Sequence, residues 1–345
     1  MTRSRNQQRS EDAWGTFRQL DEFLRLYQVG FVAVWPLLGL ACAQAWTPGS
    51  VAGLLAISAG FNVFGGVLND LCDLRSDREA PERSERWLVT GVVSERLARL
   101  VVIAQLPILL AIHLAAGFRT ASLVWLLAAL IGQAIYDTWG KRSRIPPLAE
   151  AGQAAAASFL VLYGATCATG TFIPLAWPTA AAGAALLLLV NAFHGGLRDI
   201  DDDSRSQVRT TPIWFGCAST GDAIRISTAM SAYASCWLAL LVASSLVVAS
   251  QFGWVTFAVT SLECAINVAL FVLLHHLKKP MWDVVLRAHV ALLMLPIMTA
   301  FSPLLGTAAS AVLFTIYLTP VLLLSRQFAR ATVVRTRAGQ PLPAP

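Results

Sequence analysis

The sequence predicts an all-α fold: a polytopic membrane helical bundle of nine to ten transmembrane helices, with two acidic motifs on its cytoplasmic side. Three observations carry this expectation. The 345 residues are 56% hydrophobic and 13% charged, with a mean hydropathy of +0.60, whereas an average soluble domain carries about 25% charged residues. The apolar residues gather into runs near 20 residues long, the length a helix needs to cross a bilayer core of about 30 Å. The loops between those runs alternate sharply in charge.

The elements follow in order. Residues 1–25 form a polar cytoplasmic segment with five arginines and four acids, and no secretory signal is visible in it. Trp14, Phe17, Leu20, Phe23, Leu24 and Tyr27 recur at helical spacing, as in an interfacial helix or a solvated helical extension. Apolar runs then fall at 28–46, 51–68, 100–118, 120–136, 150–168, 173–194, 226–249, 254–275, 284–300 and 306–325. Residues 26–325 therefore read as a single transmembrane domain and 326–345 as a cytoplasmic tail.

Orientation comes from the basic residues. Of the 26 Lys and Arg residues, only Arg119 falls in the five alternate loops; the other 25 crowd the two ends and the loops between, or just inside the ninth run. Cytoplasmic loops retain Lys and Arg, so both termini and the intervening charged loops are expected on the cytoplasmic face of the plasma membrane. The six cysteines are scattered without paired spacing, which gives no support to a zinc site or a disulfide framework. Nucleic acid is not expected among the partners; the lipid bilayer is.

Two acidic clusters close apolar runs on that same face. The first is Asn69-Asp70-Leu71-Cys72-Asp73-Leu74-Arg75-Ser76-Asp77, after the second run; the second is Arg198-Asp199-Ile200-Asp201-Asp202-Asp203, after the sixth. Carboxylates beside hydrocarbon are costly and are usually functional. The two preceding runs are four apart in order, so their helices point the same way, the pattern of an internal repeat. Asn69, Asp73 and Asp77, at i, i+4 and i+8, are expected along one helical stripe, and Asp199 and Asp203 on another. Asn69, Asp70, Asp73, Asp77, Asp199 and Asp203 are thus candidate metal ligands. Hard oxygen donors suit Mg²⁺, and Mg²⁺ so held usually grips a phosphate. Arg78, Lys141, Arg142, Arg198 and Arg209 are the candidate diphosphate-binding cations. Asp201 and Asp202 read as solvated residues. Asn62, two turns before the first motif, and Asn191 and His194, in the last turns before the second, are candidates for a substrate pocket. Glu263, deep in the eighth run, reads either as a site residue or as a hydrogen-bonded packing residue.

These residues resemble the UbiA superfamily of intramembrane prenyltransferases. That family carries N-D-x-x-D-x-x-x-D after its second helix, matched here by Asn69-Asp70-x-x-Asp73-x-x-x-Asp77. It carries D-x-x-x-D and then G-x-R-T after its sixth, matched by Asp199-x-x-x-Asp203 and by Gln207-Val208-Arg209-Thr210. Tyr136-Asp137-Thr138-Trp139-Gly140-Lys141-Arg142 is similar to the family's Tyr-then-basic segment. The likeness covers about residues 25 to 325. Two departures stand out: Arg86-Trp87-Leu88-Val89-Thr90-Gly91 has Trp where the family has Pro, and Gln207 replaces the Gly before R-T.

The resemblance implies an enzyme. Mg²⁺ held by Asn69, Asp73, Asp77, Asp199 and Asp203 would grip a prenyl diphosphate, and an isoprenoid group would pass to a small, aromatic acceptor with release of pyrophosphate. Those five residues are its implied catalytic set, with Tyr136 among the pocket residues. A terpene-cyclase branch of the superfamily shares the metal motifs without an acceptor; the altered loop and 11 tryptophans keep that alternative open, since π faces suit a long-lived cation. An ion-coupled transporter would place its acids midway along the spans, whereas here they lie at span ends. The D-G-x-x-A-R opening of a CDP-alcohol phosphotransferase is absent.

Overall fold

A computed structural model describes residues 19–79, 83–140, 143–205, 208–221, 223–279 and 281–337. Trp14, Phe17, Lys141, Arg142 and Gln207 lie outside the described residues. After a 3₁₀ turn at Leu26–Gln28 come α1 (Val29–Cys42), α2 (Pro48–Glu79), α3 (Trp87–Thr90), α4 (Glu95–Ala115), α5 (Leu123–Thr138) and α6 (Pro146–Cys167). Next, α7 (Ala176–Leu188) continues through a π-helical segment, Leu189–Gly195, and one further turn, Gly196–Arg198. The short helices α8 (Ile200–Arg205) and α9 (Thr211–Trp214) precede a small antiparallel hairpin, β1 (Ala218–Ser219) with β2 (Ile224–Arg225). The chain closes with α10 (Thr228–Ala249), α11 (Trp254–Leu274), α12 (Met281–Leu292) and α13 (Leu295–Arg337). Gly306, at φ 71°, interrupts α13, a backbone angle at which only a residue without Cβ is unstrained.

Each of the ten apolar runs lies on helix, and seven of the described helices are long and apolar enough to cross a membrane. Two of the expected spans are shorter apolar helices, Leu26–Cys42 and Ala309–Thr319. The fifth run, on α6, is not among the seven, because Pro146, Pro147, Glu150 and Gln153 lower the hydropathy of its first turns. Helix α6 lies against α5, α1 and α7 together, so Ala and Gly serve it better than bulky lipid-facing side chains. A Cβ on Gly39 would fall onto the Val161 carbonyl oxygen, and one on Gly164 onto that of Pro36. The α1 and α6 backbones therefore touch, the small-residue packing that membrane bundles rely on where lipid is as apolar as the core. At the periphery α4 is only 22% buried along its apolar stretch and α11 28%; Leu97, Leu100, Ile103 and Leu262 are exposed on the outside of the bundle.

Buried polar residues tie the bundle internally. Glu263 accepts from Thr299 Oγ1 at 2.8 Å, and Asn267 donates to the Leu292 carbonyl at 3.2 Å. Both bonds link α11 to the helices after it, so Glu263 takes part in helix packing.

Candidate active site

The first acidic motif lies on the last turns of α2, which runs without a break to Glu79. Its acids divide between two faces. Asn69 Nδ2 donates to Asp73 Oδ2 at 3.4 Å, as one turn of helix allows. Asp70 and Asp77, seven residues apart, return to within about 20° of each other, whereas Asp77 has drifted about 80° from Asn69. Asp77 is accordingly buried with Asp70, and the expected Asn69–Asp73–Asp77 stripe holds for its first two members.

Three arginines cover the Asp70–Asp77 face. Arg25 pairs with Asp70. Arg83 pairs with one oxygen of Asp77, and Arg86 Nη1 binds the other at 2.9 Å while standing 3.6 Å from Asp70. Burial opposes the charge on Arg25, but Asp70 beside it outweighs that and raises the guanidinium above its ordinary value. Arg25 adopts a left-handed backbone conformation, φ 52°. Asn62 Nδ2 holds that bend by donating to the Leu24 and Arg25 carbonyls at 3.2 and 2.9 Å. Asn62, expected in a substrate pocket, thus fastens the N-terminal segment to α2. The loop after α2 folds back to supply Arg83 and Arg86, turns through α3 and ends at Gly91 in the left-handed region; Trp87 Nε1 donates to Gln19. Arg78 points elsewhere, to Glu95 at 3.2 Å on α4.

The second motif follows an irregular helix. The π-helical segment inserts its wider turn directly before the acids, a distortion that recurs at functional sites. Within it Asn191 donates to Gln153 on α6. His194, 2% exposed, bonds the Leu189 carbonyl at 2.7 Å through Nδ1 and His289 on α12 at 3.0 Å through Nε2; it is locked in packing rather than turned to a pocket. Asp199 breaks the helix (φ −93°, ψ 6°). Its carboxylate accepts from Arg198 Nε and Nη2 at 2.7 and 2.6 Å and remains 44% exposed. The Asp203 amide bonds the Asp199 carbonyl at 2.9 Å, which sets the two acids one turn apart. Asp201, 45% exposed as a solvated residue is expected to be, also accepts from Lys279 Nζ at 2.7 Å and so ties down the α11–α12 connection. Partial burial opposes ionisation of Asp201, but Lys279 holds its carboxyl below the ordinary 3.8. Arg209 is exposed.

Tyr136, at the end of α5, lies within electrostatic reach of Asp73, Asp137, Glu150 and Arg25. Among the described residues no three His, Cys, Asp or Glu side chains gather into a ready metal cage. Mg²⁺ does not need one: it keeps several waters and binds through one or two carboxylates plus substrate phosphates. The oxygen-only pairs Asn69–Asp73 and Asp199–Asp203 have the donor chemistry for that mode.

A sequence profile of the UbiA prenyltransferase family matches residues 32–282, a stretch that contains both motifs. The chain belongs to the UbiA prenyltransferase family. Solved UbiA-like structures share the fold at low identity. A structure of digeranylgeranylglyceryl phosphate synthase superposes with a TM-score of 0.63 at 15% identity, covering 83% of this chain and 96% of that one. A UbiA homologue from Archaeoglobus fulgidus, bound to GPP and Mg²⁺, gives 0.60 at 19% identity over 82% and 98% of the two chains. The apo UbiA homologue from Aeropyrum pernix K1 gives 0.60 at 21% identity over 79% and 96%. No curated protein sequence matches the chain. In this UbiA chain the arginines bound to the first motif's Asp70 and Asp77 are Arg25, Arg83 and Arg86, whereas Arg78, the cation expected there, binds Glu95. The signal was present: Arg86 opens the Arg86-Trp87-Leu88-Val89-Thr90-Gly91 stretch whose family likeness was already visible.

Proposed function

We propose that this UbiA family member transfers an isoprenoid group from a prenyl diphosphate to a small, aromatic acceptor, releasing pyrophosphate. The observation that carries the reading is the pair of oxygen-donor faces, Asn69–Asp73 on α2, next to the arginine-covered Asp70–Asp77 face, and Asp199–Asp203 after α7, where Arg198 binds Asp199. The Archaeoglobus homologue, bound to GPP and Mg²⁺ on the same fold, supports it. Asn69, Asp73, Asp199 and Asp203 would hold Mg²⁺, which when bound neutralises charge on the diphosphate oxygens as pyrophosphate departs, while Asp77, both of whose oxygens are bound, holds Arg83 and Arg86 in place. Arg198 and Arg209, with Lys141 and Arg142, orient the diphosphate by forked and point contacts. Asp70 serves by fixing Arg25 and Arg86 beside that charge. The apolar bundle takes the isoprenoid tail and keeps water from the developing allylic cation. Both termini and both motifs face the cytoplasm of a plasma-membrane-type bilayer, as the distribution of Lys and Arg supports.

A second reading, cyclisation without an acceptor, is favoured by one observation. Phe215, Tyr233 and Trp237 form an aromatic run with centroids 5.2 and 5.8 Å apart, and such faces stabilise carbocations. One assay separates the two. Purified protein in detergent is given geranyl, farnesyl or geranylgeranyl diphosphate with Mg²⁺, with and without aromatic acceptors, beside an Asp73→Ala control. Pyrophosphate release with a prenylated acceptor, lost in the control, is expected. A cyclic hydrocarbon or alcohol formed without acceptor would replace the transferase reading by the cyclase one.

A further inference from the structure

The start of α6 carries an acid that the diphosphate site does not use. Glu150 lies in the first turns of Pro146–Cys167, and its Oε2 is buried with no hydrogen-bond partner. A carboxylate oxygen left this way is costly, so its presence calls for a ligand. The surrounding polar atoms are in the same condition. The Thr211 hydroxyl, fully buried on α9, lies beside Glu150 without closing a hydrogen bond. Tyr233 on α10 is within electrostatic reach of Glu150, and its hydroxyl stands beside the Trp237 indole N–H without closing a hydrogen bond of normal geometry. The Thr210 hydroxyl and the Trp237 indole N–H also lack a hydrogen-bond partner. Short helix α9 packs on α6, and Tyr136 is within electrostatic reach of both Glu150 and Asp73 of the first acidic motif.

The chemistry of the patch is specific. One carboxylate accepts; three hydroxyls and an indole N–H can donate; the ring faces of Phe215, Tyr233 and Trp237 are apolar. A ligand that satisfies all of them is flat, offers a hydroxyl to Glu150 and takes hydrogen bonds on its own oxygens. A ligand carboxylate would meet the like charge of Glu150 in a medium of low dielectric, where repulsion is strong. We propose that this patch is the acceptor site of the transferase, that it selects a neutral, hydroxyl-bearing aromatic over a carboxylated one, and that Glu150 takes the proton the acceptor loses. The inference rests on the transferase reading above. In the step, the allylic C1–O bond breaks and its electron pair leaves with pyrophosphate. A bond forms between C1 and a ring carbon or oxygen of the acceptor, and the hydrogen on that atom passes as a proton to the Glu150 carboxylate.

The test uses matched acceptors: 4-hydroxybenzyl alcohol against 4-hydroxybenzoate, and 2-naphthol against 6-hydroxy-2-naphthoate. Each is supplied with geranyl diphosphate and Mg²⁺ to the wild type, Glu150→Gln, Glu150→Asp and Tyr233→Phe. The wild type should prenylate the neutral member of each pair at least about tenfold better in kcat/KM. Glu150→Gln should erase that preference and lower kcat on the neutral acceptor about a hundredfold, the usual scale for a lost proton acceptor, with KM changed little. Glu150→Asp should restore part of the rate, and Tyr233→Phe should raise KM without a comparable fall in kcat. The Kd for geranyl diphosphate, measured on each variant, checks the fold. Preference for the carboxylated member, or undiminished kcat in Glu150→Gln, overturns the proposal and leaves the transferase reading standing. Pyrophosphate release with no acceptor prenylated overturns both in favour of cyclisation. Failure of the wild type to bind geranyl diphosphate removes the diphosphate site itself, and the acceptor site with it.

Discussion

On α2, Asp77 is 2% exposed and both its oxygens are bound by Arg83 and Arg86; beyond α7, Asp199 is 44% exposed and pairs with its own neighbour, Arg198. The first motif sits on unbroken helix and draws its cations from two other parts of the chain, the N-terminal bend and the loop after α2. The second sits where π-helix gives way to a helix break; its Asp199 pairs locally with Arg198, and Asp201 reaches farther, to Lys279. Two motifs of the same residue types have thus been given different physical work. On α2 part of the acid set is committed to holding Arg25, Arg83 and Arg86 in place before any ligand arrives. After α7 the acids stand at a helix joint, and Asp199, though paired with Arg198, remains 44% exposed.

The largest effect should come from breaking the buried side of that contrast. Asp77→Ala strands two guanidinium groups, and removing one partner of a buried pair costs several kcal/mol. Because Arg83 and Arg86 are about two-fifths exposed, we expect a loss of about 2 kcal/mol in thermal unfolding. Asp199→Ala should cost less than about 0.5 kcal/mol. Equal losses would show that the two motifs are built alike. Function should order them differently: Asp199→Asn should weaken Mg²⁺-dependent geranyl diphosphate binding at least about tenfold, or about 1.4 kcal/mol, at an unchanged melting temperature. A melting temperature that fell with the affinity would make Asp199 structural. Arg86→Lys comes next. A point ammonium cannot serve Asp70 and Asp77 together as the guanidinium fork does, so a loss of about 1 kcal/mol is expected on unfolding. If lysine is neutral there, the bridge is not what holds the loop.

The smallest effect concerns the second motif's tie to Lys279. Asp201 ionises more readily folded than unfolded. The tie therefore contributes its full stability above the ordinary carboxyl value of 3.8 and loses it as pH falls through the lower folded value. With Asp201 45% exposed, the contribution is about 0.5 kcal/mol. Lys279→Ala should flatten this part of the stability–pH curve at its acid end and leave it parallel to wild type near neutrality. Identical curves at acid pH would mean that the pair contributes nothing.

The sequence made the helices legible because membrane spans write themselves in long apolar runs, and all ten runs are helical. It was less informative about which of them qualify as spans. Helix α6 reads as a run at 150–168 but carries Glu150 and Gln153 near its start and is not among the seven long apolar helices, while Gly306 divides α13 between the ninth and tenth runs. At the site, spacing found the acids but placed Asp77 with Asn69, because i+8 looks like a continuation of i+4 until the 100° per residue is summed. Asn62 and His194 read as pocket residues because a polar side chain near a motif looks functional; their partners, the Leu24 and Arg25 carbonyls and His289, are distant in sequence. Glu150 gave no signal for the same reason. Its significance comes from Thr211 and Tyr233, which only folding brings to it.

The central claim is that the two motifs, however differently built, act as one site. The most direct test is a double-mutant cycle on Asp73→Asn and Asp203→Asn, reading Mg²⁺-dependent pyrophosphate release from geranyl diphosphate with acceptor present. Residues that act as a unit are strongly non-additive. Each single variant should lower kcat/KM at least about a hundredfold, and the double variant should be within about threefold of the worse single. Losses that multiply would contradict the account and make the two motifs separate sites.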